Sequence, residues 1–157
     1  MQVSIQSKTF QVIISPKRFT KDRVVLGLNT ITIFQAEDSK KHIKTIFTDW
    51  LKEYARKIIS ERTKELSRVH GFEYKKISIR EQSTRWGSCS SEKNLNFNWK
   101  LILAPPLVLD YVIIHELSHT IEMNHSRAFW KVVENVMPNY NEYRNWLKTN
   151  GNLLKID

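Results

Sequence analysis

Residues 3–35 alternate short apolar runs with polar breaks: Phe10-Gln11-Val12-Ile13-Ile14, then Val24-Val25-Leu26, then Thr30-Ile31-Thr32-Ile33-Phe34. These β-rich runs, joined at Ser15-Pro16 and near Gly27 and Asn29, predict three short strands. After Glu37 the period changes, with Ile43, Ile46, Phe47, Trp50, Leu51, Tyr54, Ala55, Ile58 and Ile59 spaced by threes and fours. That spacing draws one apolar stripe on a long helix running to about His70. Asp38 or Ser39 is placed to cap its start, and Gly71 to end it in a left-handed conformation. Its other side, with Lys40, Lys41, Lys44, Lys52, Arg56, Lys57, Arg62, Lys64 and Arg68, reads as a solvent face.

Ile77 and Ile79 suggest a further strand, and Leu95, Phe97, Trp99, Leu101 and Leu103 alternate with polar Asn96, Asn98 and Lys100. A period of two over that length predicts a half-buried strand. The intervening stretch from Gln82 to Ser91 is a loop by composition. Pro106 opens a helix at the position where its missing N–H costs nothing. The block Tyr111-Val112-Ile113-Ile114 leaves that helix no water-facing side, so it is expected to be buried. Ser126 can cap a helix bearing Phe129, Trp130, Val133 and Met137 that Pro138 ends, and a last helix carries Tyr140, Tyr143, Trp146 and Leu147 before Gly151. The expected fold class is therefore α+β. A β-rich N-terminal segment (1–36) precedes a core (37–157) of a long backing helix, a small mixed or antiparallel sheet, the histidine-bearing helix and C-terminal helices.

The chain has 157 residues, 41% hydrophobic and 26% charged, with four glycines and four prolines and no low-complexity tract. It fits one domain over 1–157, able to bury about 70% of its unfolded surface. The start lacks a basic and then apolar signal pattern, and Pro105 and Pro106 interrupt the most apolar stretch well short of a membrane span. Cys89 is the single cysteine, so no disulfide framework is implied. A cytoplasmic, monomeric chain without a membrane segment is expected. The formal charge of +9 is uneven: residues 1–70 carry 14 Lys+Arg against 7 Asp+Glu, and residues 71–157 carry 11 against 9. A basic N-terminal half would suit a nucleic acid or other polyanion, although a solvated basic surface is the plainer reading.

The chemistry concentrates at His115-Glu116-Leu117-Ser118-His119, followed by His125. Helical residues four apart are separated by about 40° around the axis, so both imidazoles of HExxH can grip one ion while Glu116 lies beside it without ligating. That is the geometry by which a carboxylate takes a proton from metal-held water. Six more helical residues would carry His125 about 240° away, so it joins only if the helix stops first. Asn124 best tolerates a left-handed turn there, and Ser126 starts the next helix. HExxH alone arises by chance in roughly 1% of such chains, and a third histidine at one offset lowers that about 30-fold. Burying two imidazoles and a carboxylate beside an apolar block would cost several kcal/mol per unpaired group; a metal supplies the compensation. Three nitrogen ligands with a free fourth position favour one catalytic Zn2+ per chain. Arg85, Tyr140 and Tyr143 are weaker candidates for stabilising an oxyanion.

At these residues the chain resembles the YgjP-like metallopeptidase family, relatives of the WLM and SprT-like zincins. The resemblance runs from about Ile77 to Trp146, through Arg85-Trp86-Gly87-Ser88-Cys89-Ser90, Leu95-Asn96-Phe97-Asn98-Trp99-Lys100-Leu101, and His115-Glu116-Leu117-Ser118-His119 to His125-Ser126-Arg127-Ala128-Phe129-Trp130. It implies a zincin-like core whose long helix backs a small sheet, with the strand near Asn98 bordering the substrate cleft. It also implies zinc on His115, His119 and His125, Glu116 as catalytic acid/base, and a peptide or protein substrate. The first 36 residues match only in their β-rich character. Metzincins share the third-histidine offset but have Gly where Glu122 stands here, which disfavours that group. SprT-like and WLM relatives act on DNA-attached proteins, which would suit a basic chain.

Two other functions fit the same residues. One is a deformylase-like amide hydrolase in which Cys89 replaces His125 as ligand. The other is a basic nucleic-acid-binding or adaptor domain whose zinc only staples two helices, leaving Glu116 idle.

Overall fold

The structure, a computed structural model, describes residues 1–16 and 20–156. Lys17, Arg18, Phe19 and Asp157, which belong to the expected single domain and of which Lys17 and Arg18 count toward the basic half, lie outside the described residues.

Four strands, rather than three, form the N-terminal sheet: β1 (Gln2–Ile5), β2 (Lys8–Ile14), β3 (Arg23–Leu26) and β4 (Thr30–Phe34), in the order β1-β2-β4-β3. β2 and β4 run parallel, with Val12 opposite Ile31 and Ile14 opposite Ile33, and the outer pairs are antiparallel. Phe10, Val12, Ile31 and Ile33 are buried, as a period of two requires when one face meets the core. The additional strand β1 escapes a sequence reading because its hairpin turn, Gln6-Ser7, takes φ of 50° and 65° without a glycine or asparagine to advertise it. That turn docks on the core, where Gln6 N–H donates to the Ile102 carbonyl at 2.9 Å and Gln6 Nε2 donates to the Ala104 carbonyl at 3.0 Å.

Helix α1 spans Ile43–His70 and starts with the apolar period at Ile43, several residues later than a cap at Asp38 or Ser39 would place it. Neither Asp38 nor Ser39 caps it. The Ser39 hydroxyl donates to Asp22 Oδ2 at 2.7 Å, while Asp22 Oδ1 accepts from the Ala36 N–H at 2.7 Å, so Ser39 is spent in the loop ahead of the helix. The stop is as expected: Gly71 adopts φ 74° and its N–H donates to the Ser67 carbonyl. The stripe from Ile46 through Phe47, Leu51, Ala55 and Ile59 to Leu66 is buried. Arg62 departs from the solvent-face expectation, because its Nε and Nη2 fork the two oxygens of buried Asp110 at 2.7 Å each, joining α1 to the histidine-bearing helix.

The second sheet has the order β5-β7-β6, with β5 (Lys76–Arg80) parallel and β6 (Gly87–Cys89) antiparallel to the central β7 (Asn94–Asn98). β6 lies inside the stretch expected to be a loop; Gly and Ser dominate its three residues, so it carries no strand pattern. β7 is shorter than the alternation suggests. Asn98 Oδ1 accepts from the Lys100 N–H at 3.0 Å and turns Trp99–Leu103 into a 3-10 segment, within which Trp99, Leu101 and Ile102 are still buried. With β7 in the middle, β6 rather than the strand near Asn98 is the edge that faces the cleft.

Helix α2 (Pro106–Ser118) begins at Pro106 and is buried from Val108 through Ile114. It packs against α1, β6, α3 (Arg127–Val136) and α4 (Tyr140–Asn150), so the histidines leave from a helix enclosed by other elements. Among the described residues no helix is long and apolar enough to cross a membrane.

Candidate metal centre

The end of α2 is tightened rather than reversed by a left-handed residue. Thr120 and Ile121 N–H groups donate to the carbonyls three residues back, at Leu117 and Ser118, and Asn124 keeps a negative φ. Ser126 then caps α3, its hydroxyl accepting from the Phe129 N–H at 3.3 Å. The corner so formed aims His125 back at α2. Its Nε2 lies 3.2 Å from His115 Nε2 and 3.1 Å from His119 Nε2. Two nitrogens each about 2.0–2.1 Å from a tetrahedral ion are separated by roughly 3.4 Å, so the spacing suits one small cation. The three residues form a group that could hold a metal.

The far nitrogens are engaged as such a site requires. His119 Nδ1 lies 3.0 Å from the Glu122 carbonyl, which can only accept, so the proton sits on Nδ1 and Nε2 keeps its lone pair. His115 Nδ1 lies 3.4 Å from the Tyr111 hydroxyl one helical turn earlier. Rings hold the imidazoles from behind: Phe129, fully buried, stacks on His119 at 4.3 Å, and Trp130 stacks on His125 at 6.1 Å. Burial, with the neighbouring histidines and Arg144 adding to it, pushes His115 down to about 3, and burial also lowers His119. Both are thus neutral donors at physiological pH, the form a metal needs.

Glu116 is 4% exposed, and burial raises its carboxyl to about 8 against the opposing pull of Arg85. The edge strand reaches it through Gly87, where a Cβ would stand 2.9 Å from Glu116 Oε2. The cleft widens on both sides of Glu116. Toward β6 and the corner lies a hollow of about 410 Å³ that includes Ser88, Cys89 and Met123. Toward α4 lies one of about 310 Å³ walled by Trp86, Tyr111 and Leu147, with Arg85, Arg144 and Lys148 around it.

The structure therefore brings His115, His119, His125 and Glu116 together. Cys89 lines the same cleft, but it is not among the residues that could share the ion; its thiol donates to the Ser90 carbonyl at 3.4 Å, and burial pushes it up to about 11. Arg85 lines the cleft, whereas Tyr140 stacks on Trp130 at 5.2 Å and the Tyr143 hydroxyl accepts from Asn139 at 3.0 Å. Sequence reasoning missed Tyr111, Gly87, Arg144 and Lys148. Tyr111 was findable, since it lies four residues before His115 and so on the same helix face. The others depend on the folding of β6 and α4 against α2, which no local pattern announces.

No match was found among curated proteins. Two solved structures share the fold: the metallopeptidase zymogen abylysin of Pyrococcus abyssi, 20% identical over 59% of this chain and 93% of its own with a TM-score of 0.54, and the metallopeptidase zymogen jannalysin of Methanocaldococcus jannaschii, 24% identical over 60% and 96% with a TM-score of 0.51. At such identities the likeness speaks for the architecture. The sequence itself matches the YgjP-like family model, described as a metallopeptidase domain, over residues 2–150, so the match takes in the β-rich N-terminal segment as well as the core. The chain thus belongs to the YgjP-like metallopeptidase family.

Proposed function

We propose that the site is a one-zinc centre that hydrolyses peptide bonds, with His115, His119 and His125 as ligands and Glu116 as general base. The observation that carries this is the meeting of three imidazole Nε2 atoms, at 3.1 and 3.2 Å from His125 to its two partners, beside a buried carboxyl one residue along the same helix. Bound there, zinc would polarise a substrate carbonyl and lower the pKa of a water to about 7.

The chain's own groups do the rest. Glu116 takes a proton from the attacking water on a carboxylate oxygen and returns it to the leaving amine nitrogen. Burial alone would keep that carboxyl protonated; beside a dication held by the three imidazoles Glu116 would instead favour its base form. His115 Nε2 would hold the ion, and its Nδ1 would then donate to the Tyr111 oxygen, leaving the phenolic proton for an acceptor in the cleft. Burial holds Tyr111 up to about 12, so it keeps that proton through the working pH range. The outer side of β6, an edge strand, offers backbone groups along which an extended peptide can lie.

Elemental analysis paired with a peptide-library digest tests the proposal. Wild type and Cys89→Ser should carry one zinc per chain, His125→Ala should lose it, and Glu116→Gln should keep fold and zinc but lose hydrolysis. A zinc-free His125→Ala together with a silent Glu116→Gln supports the assignment. Retained zinc in His125→Ala, or undiminished turnover in Glu116→Gln, sinks it. Salt-sensitive nucleic-acid binding without any Glu116-dependent turnover would instead point to an adaptor.

A further inference from the structure

The hollow on the α4 side of Glu116 differs in kind from the rest of the cleft. Its floor and walls are Trp86, Tyr111 and Leu147, and three cations stand around them: Arg85 from the segment before β6, and Arg144 and Lys148 from α4. Arg144 and Lys148 are four apart, so they project from one face of α4, one turn above the other. Arg144 is fixed in place, its guanidinium lying 4.7 Å over the ring of Trp130. The opposite hollow, toward Cys89 and Met123, shares Arg85 but, among the described residues, adds no further Lys or Arg.

Among the described residues none of these three cations belongs to an ion pair, although Lys41, Lys52, Arg56, Arg62 and Lys100 all find carboxylates elsewhere on the surface. Among the described residues the only carboxylate lining the hollow is Glu116, and it lies at the boundary with the ion site, 4% exposed. A concave apolar surface fringed by uncompensated positive charge focuses its field into the cavity and selects a ligand that is apolar along its stem and anionic at its tip. Arg adds a planar fork that suits a carboxylate better than any neutral amide.

We infer that this hollow is a substrate subsite for a carboxylate carried next to the scissile bond, held by Arg144 and Lys148 with Arg85 at the boundary, so that the enzyme prefers peptides acidic on one side of the cut. The inference rests on the metallopeptidase reading of the site. The carboxylate can come from a Glu or Asp side chain or from a free C-terminus, and the two sources are separable by experiment.

The test measures binding as well as turnover. Zinc-loaded Glu116→Gln protein is titrated with three N-acetylated, C-terminally amidated pentapeptides that differ only in a central Glu, Gln or Lys, and with the Gln peptide bearing a free C-terminal carboxylate. Tryptophan fluorescence reports binding through Trp86. The Glu peptide is expected to bind about tenfold more tightly than the Gln peptide and more tightly still than the Lys peptide, with the preference shrinking as salt rises. Arg144→Gln with Lys148→Gln should erase the preference, and Lys148→Glu alone, on an exposed position, should turn it toward the Lys peptide. If the free-acid Gln peptide binds more tightly than both amidated peptides, Glu and Gln, the subsite takes a chain terminus, which also upholds the inference. Equal affinity for the Glu peptide, the Gln peptide and its free-acid form, or a preference untouched by the α4 substitutions, overturns it. A preserved preference alongside a wild-type, zinc-loaded enzyme that cuts none of the peptides would leave the subsite standing and remove the hydrolase reading instead.

Discussion

Gly87 and Glu116 share a space that admits only one side chain: a Cβ on the glycine would stand 2.9 Å from both Cγ and Oε2 of the glutamate, and 3.0 Å from the Asn96 carbonyl. The edge strand can therefore approach the carboxyl only because this position has no side chain. Gly87→Ala should displace the carboxylate while leaving the imidazoles untouched. The expected result is a fall in kcat/KM of roughly 10- to 100-fold with zinc content unchanged, since displacement near 1 Å costs about that much. Steady-state kinetics alongside metal analysis would show it; a fully active, zinc-replete variant would refute it.

Arg62 and Asp110 set the relation between the long helix and the histidine-bearing one. Their two 2.7 Å contacts bury one partner, Asp110, and leave Arg62 more than a third exposed. Asp110→Ala would strand a cation that still reaches water, so the loss should sit near the lower end for a charged pair, about 2 kcal/mol. Urea unfolding of the zinc-loaded protein measures this, with Arg62→Ala expected to cost more, about 3 kcal/mol, because it leaves the buried Asp110 carboxylate without its partner.

Removing the metal should loosen the corner between α2 and α3. At a thousandfold excess over its dissociation constant, a ligand that binds only the folded state adds about 4 kcal/mol, which for a domain of this size is about 8–16 °C in Tm. Chelation followed by calorimetry should show a drop of that order, restored by zinc and not by magnesium, which prefers oxygen donors.

Cys89 should be a sluggish nucleophile. Its thiol is raised to about 11, chiefly by burial and further by Glu116, so at pH 7 only about one molecule in ten thousand carries the thiolate. Because the shift is upward, reactivity must grow with pH: iodoacetamide labelling should be slow at pH 7 and climb until about pH 11. Labelling that levels off below pH 9 would contradict the burial seen here.

What a reader of the sequence can recover follows from how local each signal is. The stop at Gly71, the start at Pro106 and the cap at Ser126 are each fixed by one residue's backbone chemistry, and each stands where expected. The HExxH helix with His125 beyond it was legible for the same reason, since helical geometry dictates which residues share a face. Misreadings arose where a residue had two possible partners. Ser39 could cap α1 or bond Asp22, and it bonds Asp22. The alternation from Leu95 to Leu103 fits a strand or a strand followed by a 3-10 segment, and Asn98 decides between them through a bond to its own neighbour two residues on. The Gln6-Ser7 turn has no signature residue, and β6 exists only because β7 is there to pair with it.

The three imidazoles differ in how firmly they are anchored. His119 is buried and His115 half-buried at the end of a packed helix, whereas His125 is exposed on the corner that follows. Exchange of an ion held there would need no unfolding of α2: swinging the corner outward would release one donor and open a door to solvent. The lifetime of the bound cation should accordingly be set by the looseness of the segment between Thr120 and Ser126, and stiffening that segment should slow metal turnover without altering which metal is chosen.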